Sequence, residues 1–158
     1  MNRQSPILLA TDGSPSAGEA QRQAFDLAKL SGAPLVVVSV SHTTLPAVGY
    51  SAYGYSDVVS ALTNAEHKRL DELLAGVTEA AAKEGIDCST VEVDGAIVEE
   101  ICRIAAEHRA QLVVVGSHGW GAARRILSGS VSTGLVHSAP CPVLVVRATD
   151  SAQQRVAA

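Results

Sequence analysis

Positive charge is in short supply in this sequence. Its 12 Lys and Arg are outnumbered by 16 Asp and Glu, for a net charge of −4. Lys68-Arg69 and Arg124-Arg125 are the only places where two basic residues adjoin. A nucleic-acid grip needs a basic face to meet phosphates, so that class of partner is excluded. Cysteine is scarce as well: Cys88, Cys102 and Cys141 are odd in number and irregular in spacing. Neither a disulfide framework nor a metal site reads from them, and they are expected to be small core residues in a reducing cytosol. No apolar run approaches the roughly 20 residues of a spanning helix. Met1 to Pro6 leads straight into a short strand, without the apolar region of a signal peptide. The expectation is a cytoplasmic protein that does not insert into membranes.

No internal repeat appears, and nothing marks a second domain. A length of 158 residues with 47% hydrophobic content is enough to bury a substantial core. The reading is one domain over 1–158, its core running from about 5 to 147 and its polar, alanine-rich tail from Ala148 to Ala158 fraying.

Order along the chain comes from periodicity. Leu35 to Val40 and Leu112 to Val115 are short apolar runs, as in strands buried on both faces, and Ile7 to Ala10 and Val143 to Val146 are two further short apolar strands, the last read as an edge. Ile86 to Val93 alternates, with Ser89, Val91 and Val93 on one side, and reads as an edge strand. Between the strands lie helical patterns. Ser14 and Pro15 start the first, which carries Ala17, Ala20, Ala24, Leu27, Ala28 and Leu30 inward and stops at Ser31-Gly32. The second has a stripe from Val58 through Leu62, Ala65, Leu70, Leu73, Leu74 and Val77 to Ala81, ended by Gly85. The third runs over Ile97 to Arg109, and a short fourth opens at Gly129. Segment 42–56 has no regular pattern and holds all three tyrosines. Alternating strands and helices make an α/β fold with a parallel sheet.

The chain turns on Leu112 to Val146. A buried-type strand runs into Gly116-Ser117-His118-Gly119-Trp120-Gly121, and a helix opens at Ser128-Gly129-Ser130-Val131-Ser132. Strand, glycine loop and helix N-terminus together aim bare N–H groups at an anion. Gly116-x-x-Gly119, nine residues, then Gly129-Ser130, followed by Ala139-Pro140-Cys141-Pro142, resembles the ATP-binding branch of the universal stress protein family. Ile7 to Ser14 is similar to that family's first strand and acidic turn. The resemblance covers roughly Ser5 to Arg147. It implies a Rossmann-like five-stranded sheet in the order 3-2-1-4-5 with helices on both faces.

The resemblance also implies an ATP site, with or without Mg²⁺, in the crevice between strands one and four. Asp12 would take the ribose hydroxyls and the Val40 backbone the adenine edge. Gly116, His118, Gly119, Ser130 and Ser132 would hold phosphate, and Ala10, Thr11, Val115, Gly129 and Val131 would complete the contacts. No protein side chain is assigned to a metal. The family further implies a homodimer through Val143–Val146. A nucleotide-dependent regulator in the stress response, working through an unidentified protein partner, is the expected role. Gln111 departs from the family pattern, which commonly has aspartate before strand four, and should bear on stability rather than on the site.

Chemistry beyond binding lacks residues. Gly-Lys-Ser/Thr does not follow the glycines, so the P-loop lysine and Mg²⁺-binding hydroxyl are missing. No nucleophile–base constellation can be nominated, and any hydrolysis should be slow. A stress protein of the same fold acting by protein interaction alone stays open as the alternative. A nucleotidyl transferase or pyrophosphatase would want a Ser-Gly-Gly-x-Asp-Ser loop or paired histidines after strand one, and a receiver domain clustered carboxylates. Neither set is present. Asp12 could equally be a plain turn carboxylate, Ser130 and Ser132 plain helix caps, and His118 a solvated loop residue. Trp120 reads as a packed ring, Arg124 and Arg125 as surface or phosphate contacts, and His42 as a pocket candidate. His67, His108 and His137 read as structural.

Overall fold

The computed structural model describes residues 4–41, 55–118 and 129–148. The first strand, β1 (Ile7–Ala10), is buried at all four positions because it is the centre of the sheet. On one side it pairs in parallel with β2 (Leu35–Ser41), on the other with β4 (Leu112–Gly116). β3 (Cys88–Asp94) and β5 (Val143–Val146) form the two edges, giving the order β3-β2-β1-β4-β5. The half-exposed pattern of β3 is the edge character that its alternation predicts.

Side-chain alternation divides the core in two. Ile7, Leu9, Leu35, Val37 and Val114 face α1 (Pro15–Ser31) and α2 (Tyr55–Lys83). Leu8, Ala10, Val36, Val38, Val113 and Val115 face α3 (Ile97–Glu107) and α4 (Ser130–Ser138). Fully apolar strands are what a sheet covered on both faces requires.

The expected inward stripe of α2 is buried only in part. Leu70, Leu74, Val77 and Ala81 are in the core, but Ala65 is exposed and Leu62 is 55% exposed. Angle is one cause: at about 100° per residue, Ala65 lies about 140° around the helix from buried Leu70, away from the core. Leu30 also departs from expectation, standing 85% exposed near the end of α1. The cysteines depart too: all three are free thiols of intermediate exposure, packed at the margins of the core. Burial pushes each thiol above its usual range.

Element ends differ slightly from the sequence reading. The Ile86 amide reaches back to the Ala81 carbonyl around Gly85 (φ 72°), a helix-closing motif that delays β3 to Cys88. α3 stops at Glu107 because Arg109 turns left-handed, with φ 51°. Gln111 ties the amino ends of the sheet together, its Nε2 donating to the Ser5 carbonyl at 2.6 Å. Among the described residues no helix is long and apolar enough to cross a membrane.

Candidate functional site

An open parallel sheet offers a crevice beyond its carboxyl ends wherever the winding reverses. Here the reversal falls between β1 and β4, and a cavity of about 110 Å³ opens there. Its aliphatic lining is Val38 and Val40 from β2, Ile97 and Ile101 from α3, and Val131 from α4. Its polar lining is Thr11, Asp12, Ser14 and His118.

The turn after β1 is built from its own side chains. Asp12 Oδ1 accepts the Ser14 amide at 2.9 Å, and Thr11 Oγ1 accepts the Gly13 amide at 3.3 Å. Gly13 takes φ 77°, a conformation that glycine adopts at little cost. Ser14 then caps α1 by accepting the Ala17 amide at 3.3 Å, and Pro15 follows as the first helical residue. Behind the turn, the Thr11 amide donates to Val38 O at 3.0 Å, and Ser39 Oγ donates to Thr11 O at 2.8 Å.

The loop after β4 is stapled to this turn. The His118 carbonyl accepts Ser14 Oγ at 3.1 Å and also the hydroxyl of Ser16, while the His118 amide donates back to Ser16 Oγ at 3.3 Å. That closeness explains Gly116. A Cβ there would lie 2.5 Å from Ser16 Oγ and 2.8 Å from the Ala17 amide nitrogen. Glycine therefore lets the start of α1 rest on the end of β4.

α4 is joined to the same loop. The Gly129 amide donates to Ser117 O at 2.8 Å, and the buried Ser132 hydroxyl donates to Gly129 O at 3.0 Å and Ser117 O at 3.4 Å. The first amides of any helix have no intrahelical acceptor, and the helix dipole adds partial positive charge. The N-terminus of α4 thus carries an anion-favouring field beside the cavity, which Val131 lines from the first turn.

Of the residues singled out from the sequence, Ala10, Thr11, Asp12, Val40, Val115, Gly116, His118 and Val131 line this one cavity. Gly129, Ser130 and Ser132 are not in its lining; Gly129 and Ser132 instead fix α4 to Ser117, and Ser130 is exposed. Gly119, Trp120, Arg124, Arg125 and His42 lie outside the described residues. Sequence reasoning missed Ser16 and Arg69. Ser16 carried no signal beyond a helix start. Arg69 sits on the surface of α2, yet its Nη1 donates to the Asp12 carbonyl at 3.2 Å. Hydrogen bonds to Glu66, and to a smaller degree the Asp12 carboxylate, hold its guanidinium above the ordinary arginine range. Ile97 and Ile101 had a signal, their i, i+4 spacing, but it reads as core. Among the described residues no group of three His, Cys, Asp or Glu could hold a metal ion.

Comparison with known proteins agrees with this architecture. The sequence pattern of the universal stress protein family matches residues 5–147. A universal stress protein of Methanocaldococcus jannaschii is 34% identical over 146 residues, covering 92% of this chain and 84% of the relative. The solved structure of universal stress protein UspA from Lactobacillus plantarum superposes with a TM-score of 0.80 at 26% identity, over 93% of this chain and all (100%) of that one. The universal stress protein of Archaeoglobus fulgidus, solved in complex with dAMP, superposes with a TM-score of 0.61 at 25% identity, over 91% of this chain and 98% of that one. On the family match and the archaeal relative together, this chain belongs to the universal stress protein family.

Proposed function

We propose that the crevice between β1 and β4 binds an adenine nucleotide, ATP above all, and that occupancy makes the protein a nucleotide-dependent regulator in the stress response. The observation that carries this reading is that one cavity at the carboxyl ends of β1 and β4 is lined by both aliphatic side chains and the polar Thr11, Asp12, Ser14 and His118. A nucleotide has the matching halves. The flat base suits Val40, Ile97, Ile101 and Val131, and the Asp12 carboxylate can accept from ribose hydroxyls. Phosphates suit the backbone around Gly116, His118 and Gly119 and the first turn of α4 at Ser130. The dAMP complex of the Archaeoglobus relative supports the adenine class.

No residue pattern here supplies the lysine or base of a fast phosphoryl-transfer site, so hydrolysis, if measured, is slow. The working form is a single-domain cytoplasmic homodimer. Its β5 edges pair, because that strand is short, apolar and only partly covered. A protein partner then reads the loaded or empty state.

The test is mass spectrometry of the small molecule released when purified protein is denatured, followed by calorimetric titration with ATP, ADP and AMP. An adenine nucleotide in the eluate, or a dissociation constant in the micromolar range (about −8 kcal/mol), is expected. An empty eluate with no binding heat at millimolar nucleotide rejects the reading and leaves a protein acting through interactions alone.

A further inference from the structure

We infer that Arg69 is a positioning residue for this site: reaching over from α2, it holds the Asp12 carbonyl and so fixes the turn whose carboxylate meets the ribose. The inference rests on the nucleotide reading above and adds to it a residue from a helix that contributes nothing to the cavity lining.

The guanidinium is itself held. Glu66, one turn earlier on α2, accepts Nε at 3.0 Å and Nη2 at 2.8 Å through its two carboxylate oxygens. This planar fork leaves Nη1 aimed at Asp12 O, 3.2 Å away. One turn later, Leu73 lies against the same turn. A Cβ built on Gly13 would be 3.3 Å from Leu73 Cδ1 and 3.9 Å from Arg69 Nη1. Arg69 and Leu73, one turn apart on α2, therefore brace the Asp12–Gly13 peptide, with Glu66 holding the arginine in place.

A brace is needed there for a conformational reason. The orientation of the Asp12 carbonyl sets ψ of Asp12, and with it where the Ser14 amide stands to meet the Asp12 carboxylate, 2.9 Å away. Gly13, the next residue, is in the left-handed region at φ 77° and is the most permissive residue type. Thr11 Oγ1 holds the N–H side of this peptide at 3.3 Å and Arg69 holds its carbonyl side at 3.2 Å, so losing Arg69 loosens the Ser14 amide on which the carboxylate rests. Arg69 removes that freedom before any ligand arrives, which is how pre-organisation raises affinity.

The experiment is calorimetric titration of wild type, Arg69→Gln, Arg69→Lys and Glu66→Gln with ATP and with 2′,3′-dideoxy-ATP, which has no ribose hydroxyls for Asp12 to meet. Arg69→Gln should weaken ATP by about three- to tenfold, the range for one such hydrogen bond. It should leave dideoxy-ATP within about twofold, and it should add little in an Asp12→Ala background, because both changes cut the same contact. Lysine, which keeps the charge but lacks the planar fork, should restore part of the loss, and Glu66→Gln should show a smaller loss of the same kind. Equal weakening of both nucleotides, or full additivity with Asp12→Ala, overturns the positioning role. So does ATP affinity unchanged by Arg69→Gln while wild type binds. Wild-type protein that binds neither nucleotide overturns the underlying reading along with it.

Discussion

Replacing Gly116 by alanine adds one methyl group at the point where α1 meets β4, and the structure sets its cost. Among the described residues the glycines with positive φ are Gly13, Gly32, Gly85 and Gly95, and Gly116 is not one of them. Alanine can adopt its backbone angles, so space alone is tested. The new Cβ would stand 2.5 Å from Ser16 Oγ, 2.8 Å from the Ala17 nitrogen and 2.8 Å from the Ser16 carbonyl carbon. Two of these three atoms are backbone and cannot rotate away. Overpacking of this kind costs about 1–3 kcal/mol. Drawing α1 back also strains the Ser14 and Ser16 bonds to His118, at about 1 kcal/mol each. Against this stands a gain of roughly 0.4–1 kcal/mol from a stiffer unfolded chain. The net is about 2–4 kcal/mol, or a fall in Tm of roughly 5–15 °C for a chain of this length. Differential scanning calorimetry measures it. Adding Ser16→Ala removes the hydroxyl but leaves the Ala17 amide in the way, so rescue should be partial. A Tm for Gly116→Ala within about 2 °C of wild type would refute the idea that glycine is there for close approach.

Asp12→Asn keeps an acceptor for the Ser14 amide but removes the charge from the ribose contact, and should weaken ATP by about tenfold; titration calorimetry with unchanged affinity would remove Asp12 from the site. Leu144→Lys places a charge in the middle of the β5 edge and should give monomers by light scattering, whereas an unchanged mass would discard pairing through that strand. His67 Nδ1 lies 2.6 Å from Glu92, with Asp94 at 3.8 Å from Nε2 and Asp71 nearby, so its pKa is raised above 6.5 by the Glu92 hydrogen bond first and these charges after it. A raised histidine contributes fully below its unfolded value and loses that contribution as pH climbs through the folded one. The stability difference between wild type and His67→Gln should therefore shrink from pH 6 towards alkaline pH, and a difference that grows would contradict the pairing.

Most of the fold was legible because its signals are local. Leu8-Leu9 and Val113-Val114-Val115 announce strands covered on both sides, and Ser89, Val91 and Val93 announce an edge. Strand order was not legible from periodicity; it came from family resemblance, since parallel runs look alike wherever they sit. The inward stripe failed at Leu30 because, two residues past buried Ala28, it stands about 200° around the helix and off the shared face. The site divided the same way. Asp12, Gly116 and His118 fall at strand ends and declare themselves, though Gly116 proves to be required by the neighbouring helix as well as facing the crevice. Arg69 looks like any solvated arginine with a carboxylate three residues before it. Only the crossing of α2 over a turn 57 residues away gives it a second partner.

Ala10 is small, and its neighbour Leu9 is not. The two point to opposite sides of the central strand, and only Ala10 borders the cavity. Were that strand to slide by a single position, leucine would arrive where alanine now stands, and the hollow would be stopped by the protein's own hydrocarbon. Vacancy in this molecule is thus a matter of counting: one step along the chain separates an open door from a closed one.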